Sequence, residues 1–551
     1  MNRFMTWLKK PSSDRVLLII ALILLNLVSA RAFLRFDLTS QKSFSISKAS
    51  KEVVKHIDSP LSIKVFFSKN LPAPYNYVEQ YLTDILAEYK ASASNYFSYQ
   101  VFDMNKAENQ KIASELGLGP VQIDTVENTG FSSKIVWMGL AITYGDYIAT
   151  LDSLKTSSDI EYKITTTISK IISAQNTNSD KLFEIAYITG HNENELRSNP
   201  YAQSYAEVGS GNFYNMLSDI YTIKEINLAD ADIPQNIKAI IVNSPKSKIP
   251  ENELLKIDQF IMNGGNAIFF VNPLEEFVPD QNSYPVYLPG ESGLDEFLAN
   301  YGIKINPSYV MDEKCYTQNV SGFGKQILNW APVVEKNSLA KNNPITQNLG
   351  SLIFFGNGPI DITEAENNNL RTTVLAKSSA QSWTMNENII LYPGYINPPS
   401  DKNSLKSENL AVLVEGQFES AFAKSEIEKP QSYKAQCSQT SKIIAVSSGI
   451  VTTDTLIDKN GTEPISMFIR NAIDYVNENP DFCTMRTKGT RLDFISIKSQ
   501  KSVALVKILN EFALALVVLI AGFFVWRMRI TRKYFIHQKY NSDDRRLIDK
   551  E

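Results

Sequence analysis

Three stretches decide how this chain folds: residues 182–189 (LFEIAYIT), 238–245 (KAIIVNSP) and 266–273 (NAIFFVNP). Each is short, rich in β-branched and aromatic residues, and apolar at consecutive rather than alternate positions. That is the pattern of a strand buried on both faces. Helical patterns stand between them. Residues 206–220 form one, and in the other Pro250, Glu251 and Glu253 open a helix whose Leu254, Ile257 and Ile261 share a face before Gly264-Gly265 stops it. Strands alternating with helices specify an α/β domain over residues 182–480, an open parallel sheet of flavodoxin-like or amidotransferase-like type. Weaker strand patterns near 372–376, 410–415 and 442–447, and a helix near 464–476, read as elaborations at its edge.

Toward the N-terminus, the polar tract 175–180 reads as a linker. Before it, residues 61–68 form a strand and residues 75–93 a helix with Val78, Leu82, Ile85 and Tyr89 on one face. A strand, a helix, a hairpin spanning 133–151 and a helix near 159–174 follow. This β-α-β-α-β-β-α order over residues 35–176 is thioredoxin-like, with Pro120 ahead of the third strand. No cysteine precedes Cys315, so thiol redox chemistry is excluded in that domain.

The two ends carry a different signal. Residues 16–30 (VLLIIALILLNLVSA) and 512–526 (FALALVVLIAGFFVW) are apolar runs that extend to 16–34 and 508–526, roughly 28 Å of helix each, close to the roughly 30 Å of a bilayer core. Lys9, Lys10 and Arg15 flank the first, and Arg527, Arg529, Arg532 and Lys533 follow the second. Basic flanks are retained on the cytoplasmic side, so both termini are expected there, with residues 1–15 and 527–551 cytoplasmic and 481–507 a connector into the second helix. The net charge is -4. The two ends account for +3 and +4, which leaves -11 on the exported body. Val28-Ser29-Ala30 also fits a signal-peptide cleavage site, which would leave the C-terminal helix as the sole anchor.

Composition excludes much chemistry. An acidic chain with a pI near 5.7 has no nucleic-acid footprint. Three cysteines make no disulfide framework, three scattered histidines make no histidine-based metal site, and no Walker lysine motif is present. In an open α/β sheet the loops after the strands are the crevice positions. Thr189-Gly190-His191-Asn192-Glu193 sets His191 beside Glu193 and Glu195, which suits a general base, a weak metal site or a capping turn with a hydrogen-bonded histidine. Asn243-Ser244-Pro245 lacks the glycines of a nucleophile elbow. Gly209-Ser210-Gly211-Asn212 is a weak phosphate-loop signal, because it lies inside a helical pattern.

Arg35-Phe36-Asp37-Leu38-Thr39, followed by Lys42 and Phe44-Ser45-Ile46-Ser47, resembles the start of the GldG family, the auxiliary membrane-anchored subunits of gliding-motility ABC transporters. Thr189-Gly190-His191 resembles the Thr-Gly-His of that family's second domain, which usually continues Gly-Glu where this chain has Asn192-Glu193. The resemblance implies a permease subunit and a cytoplasmic ATPase subunit as partners in the inner membrane of a Bacteroidota-type bacterium. It also implies a periplasmic body that binds an unidentified ligand or protein, with a part similar to the intraflagellar-transport protein fold. It supplies no catalytic residue and no cofactor. The expectation is a non-enzymatic, membrane-anchored auxiliary component, with a periplasmic enzyme using the His191 loop as the alternative.

Overall fold

The computed structural model describes residues 23–24, 37, 45–488 and 500–540, apart from 74, 128–129, 158, 176–183, 203–206, 280–284 and 323. Two units are divided at Arg491: Met1–Arg491 and Leu492–Glu551.

The first part of the larger unit opens with α1 (Lys48–Lys55), whose N-cap Ser47 accepts from the Ser50 amide. It continues through β1 (Leu61–Phe67), α2 (Val78–Ser92), β2 (Phe97–Asp103) and α3 (Ala107–Glu115). Next come the hairpin β3 (Val121–Glu127) and β4 (Gly130–Val136), then β5 (Met138–Tyr144), β6 (Tyr147–Leu151) and α4 (Ile160–Gln175). The sheet order is β2-β1-β5-β6, with β1 and β2 parallel and the other pairs antiparallel. Ile63 and Val65 pack with Leu82 and Ile85 of α2, Leu140 and Ile142 of β5, and Ile164 and Ile168 of α4. The apolar run around Trp137, expected as one strand, is divided there. β4 pairs with β3 in a separate ribbon and leaves Ile135 exposed, whereas β5 joins the buried sheet.

The second part contains β7 (Glu184–Thr189), α5 (Gly211–Ser218), β8 (Thr222–Asn227), β9 (Ala239–Asn243), α6 (Glu251–Met262) and β10 (Asn266–Phe270). After short strands between 275 and 361 come β11 (Arg371–Lys377), β12 (Asn409–Gly416), β13 (Ser441–Val446), α7 (Pro464–Val476) and α8 (Pro480–Arg486). Seven strands form one sheet in the order β11-β12-β13-β10-β9-β7-β8. The buried-strand reading holds residue by residue. Ile185, Tyr187, Ile241 and Phe270 face a cluster containing Phe213, Phe468 and Ile469, while Ala186, Ile188, Val242 and Phe269 face one containing Ile257 and Ile261.

The sheet is mixed rather than parallel. β8, β7, β9, β10 and β13 run parallel, but β12 pairs antiparallel with β13, and β11 antiparallel with β12. Parallel neighbours need a crossover, usually helical, and no α-helix lies between β11 and β12 or between β12 and β13. The protein is therefore mixed α/β with several sheets. The stretch read as a polar connector begins as helix α8, with Phe482, Cys483, Met485 and Arg486 all buried. Cys315, Cys437 and Cys483 are unpaired, and burial pushes the Cys437 and Cys483 thiols up.

The second unit contains α9 (Gln500–Tyr540), of which Glu511–His537 is long and apolar enough to cross a membrane by length and composition. Of the first apolar run, only the helical, exposed pair Ile23 and Leu24 lies among the described residues.

Candidate functional site

The seven-stranded sheet reverses its winding beside β7. The chain passes from β7 to β8 on one flank and then returns to β9 on the other. At such a point the loops leaving the two central strands diverge and open a crevice. Here they are Gly190–Asn194 and the loop that starts at Ser244.

At the end of β7, Gly190 takes φ +119, and a Cβ there would stand 2.9 Å from Asn227 Oδ1. Asn192 takes φ +56, a left-handed conformation that asparagine tolerates better than most residues. The turn therefore survives where the resembled family has glycine. It folds Glu193 back so that its Oε2 accepts from the His191 amide at 2.8 Å, while its Oε1 lies 3.2 Å from His191 Nδ1. On the other side of the ring, His191 Nε2 stands 3.2 Å from Glu253 Oε2, in the first turn of α6. That contact has the distance of a hydrogen bond but not its alignment, and Oε2 has no hydrogen-bond partner among the described residues. All three residues are buried. One imidazole thus lies between two carboxylates, of which the sequence showed only Glu193.

The neighbouring loops are stitched to this turn. The His191 carbonyl accepts from the Lys246 and Ser247 amides at 2.9 and 3.0 Å, and Asn194 Nδ2 donates to the Gly449 carbonyl at 2.9 Å. Ser244 adopts φ +54, the strained backbone that a nucleophile elbow also uses. Its hydroxyl nevertheless is buried and accepts from Asn272 Nδ2 at 2.7 Å, so it faces no substrate. Gly449 permits this closure, since a Cβ there would lie 2.3 Å from the Ser244 Cβ.

In front of the turn is an open cleft of about 850 Å³, lined by residues that include Thr189, Glu193, Glu195, Arg197, Tyr214 and Glu225. Its charged lining is mostly acidic. Burial raises the Tyr187 hydroxyl in its wall, and the charges of Glu193 and Glu225 add to the effect. His191 is not among the lining residues, so the ring braces the wall from behind. The glycine-rich turn before α5 is not an anion site. Asp454, unremarked in the sequence, accepts from the Asn212 amide at 2.7 Å and from Ser198, so the helix start already holds a carboxylate of the chain. Among the described residues no group of three acidic, histidine or cysteine side chains could hold a metal.

Of residues 35–39 only Asp37 is described, accepting from Ser45 Oγ at 3.2 Å, and of the run that follows Ser45, Ile46 and Ser47 are described. Arg35, Leu38, Thr39, Lys9, Lys10 and Arg15 lie outside the described residues. Arg527, Arg529, Arg532 and Lys533 are exposed on α9.

A family model described as an ABC-type uncharacterized transport system matches residues 184–483, more than half of the chain. The chain belongs to that family. The match to the ABC-type transport family begins with β7 and ends within α8, so it takes in the whole seven-stranded sheet and the cleft. A second model, a domain of unknown function, matches residues 40–143, from just before α1 into β5. An uncharacterized protein of Borreliella burgdorferi is 24% identical over 530 residues, covering 94% of this chain and 96% of its own. The solved mmIFT52 N-terminal domain aligns over 53% of this chain and 96% of its own at 12% identity, with a TM-score of 0.30, too low to bear on the fold.

Proposed function

We propose that this protein is a non-enzymatic, membrane-anchored auxiliary component of an ABC transporter, working with a permease subunit and a cytoplasmic ATPase subunit. In this reading α9 and the first apolar run cross a bacterial inner membrane, both termini are cytoplasmic, and the body lies in the periplasm. The body comprises a thioredoxin-like domain followed by a flavodoxin-like or amidotransferase-like one, and its cleft receives a ligand or protein partner. The observation that carries the reading is the family match across the entire sheet that builds the cleft. The non-enzymatic part is supported by the two side chains best suited to chemistry, His191 and Ser244, being buried and engaged by neighbours. A role in gliding motility follows from the resemblance to the GldG family at residues 35–39 and 189–191.

Co-purification from native membranes in mild detergent tests the assignment. The permease and ATPase subunits should accompany the protein, and its isolation alone at native expression would sink the proposal. Reporter fusions at positions 5, 300 and 545 should read inside, outside and inside.

A further inference from the structure

Helix α9 is longer than a bilayer requires. Its 41 residues extend about 61 Å at about 1.5 Å per residue, against about 40–45 Å for a membrane including both headgroup layers. The question is which end protrudes. The apolar window Glu511–His537 takes in Arg527, Arg529, Arg532 and Lys533. Each basic residue costs about 2.5–3.5 kcal/mol at the centre of a span, whereas Ile530, Phe535 and Ile536 each return about 0.3–0.6 kcal/mol. The span therefore ends near Trp526.

Residues 527–540 then continue as helix for about another 21 Å, or about 16 Å along the membrane normal at a tilt of about 40°. A headgroup layer takes up roughly 5–8 Å of that. Arg527, Arg529 and Arg532 stand at headgroup level, and residues 533–540 lie beyond it in water.

That outer segment does not have the composition of a solvated helix. Tyr534, Phe535, Ile536 and Tyr540 are 66%, 61%, 46% and 70% exposed, and they point to different sides of the helix. Lys539 lies over the Phe535 and Tyr540 rings at 5.9 and 5.5 Å, and residues 527–540 carry no acidic residue. A basic helical end with apolar side chains on several sides fits a groove that is apolar on its walls and acidic at its rim. Lipid headgroups reach only its base. We infer that residues 533–540 dock into such a groove on the transporter's ATPase subunit, the component that lies wholly in water at that face. The inference rests on the reading of α9 as a span with its basic end cytoplasmic.

The test co-expresses the full chain with its permease and ATPase and compares wild type with Y534A/F535A/I536A and with K533E/K539E. Protease protection of a C-terminal tag reports insertion and sidedness. Both variants should insert with the tag inside and retain the permease while losing at least tenfold of the co-purified ATPase. Wild-type ATPase recovery from inserted variants would overturn the docking but leave the membrane reading intact. A wild-type chain that fails to insert, or that places its tag outside, would overturn the membrane reading and the docking with it. Loss of ATPase from wild type in phosphatidylcholine nanodiscs, restored by phosphatidylglycerol and unaffected by the apolar triple variant, would reassign the segment to lipid.

Discussion

His191 illustrates how one side chain can carry a motif without meeting a ligand. Its ring has Glu193 on one nitrogen and Glu253 near the other. Removing the ring would strip buried Glu193 Oε1 of its Nδ1 neighbour and leave buried Glu253 Oε2 with nothing beside it to offset its charge, and a buried carboxylate that loses its partner is costly. H191A should lose about 3 kcal/mol of stability in urea unfolding, and adding E253L should recover part of it. Wild-type stability in H191A would show that the ring does not brace the wall. The turn was legible in the sequence from Gly190 and the adjacent acid. Glu253 was not, because as the third residue of α6 it reads as an ordinary acid at a helix start.

At the scale of the element, α7 is launched by a loop wrapped around one carboxylate. Asp458 accepts from the Glu463 amide and the Thr462 amide, each at 3.0 Å, and from Ser466 Oγ at 2.8 Å. Burial works to raise this carboxyl, but the Thr462 and Glu463 amides and the Ser466 hydroxyl outweigh it and hold it below the ordinary aspartate value. A carboxyl depressed in the folded state contributes stability that is fully present above its unfolded value, about 3.9. That stability is lost as pH falls through the lower folded one. D458N should therefore be less stable than wild type at pH 7, with the difference narrowing below about pH 4; a gap constant from pH 7 to 3 would exclude this role. The helix itself was legible from its apolar period and from Pro464 in its first turn. The loop's geometry was not, since Asp458 becomes a cap only once the chain has turned back on it.

Across the whole larger unit, its first and second parts are joined through charge. Glu161 of α4, 1% exposed at its side chain, accepts from Lys488 Nζ at 2.8 Å, from the Ser47 amide at 2.5 Å and from Ser50 Oγ at 2.7 Å. Lys488 Nζ also donates to the Ser45 carbonyl at 2.6 Å. Two residues earlier, Arg486 is buried against Asp474 and Asn471, with its guanidinium 4.1 Å from the centre of the Tyr162 ring of α4. Residues 45–50 and residues 486–488 are thus pinned together against α4. E161Q should cost about 3–5 kcal/mol, as should K488M, and the double variant should cost less than the sum. Additive losses in urea unfolding would show that the two groups do not act as a pair.

The sequence by itself determined the strands buried on both faces, the alternation of strands and helices over residues 184–270, and the basic, apolar character of the ends, but not the β3–β4 ribbon or the short strands between 275 and 361. The features it determined are periodic or compositional signals carried by residues close together in the chain. Only the tertiary structure decided that the sheet is mixed, that the motif histidine braces a wall rather than facing the cleft, and that residues 480–488 belong to the body. Whether a charged side chain is buried depends on the partner that meets it. Lys488 and Glu161 lie 327 residues apart, a separation at which no local pattern can register the pairing.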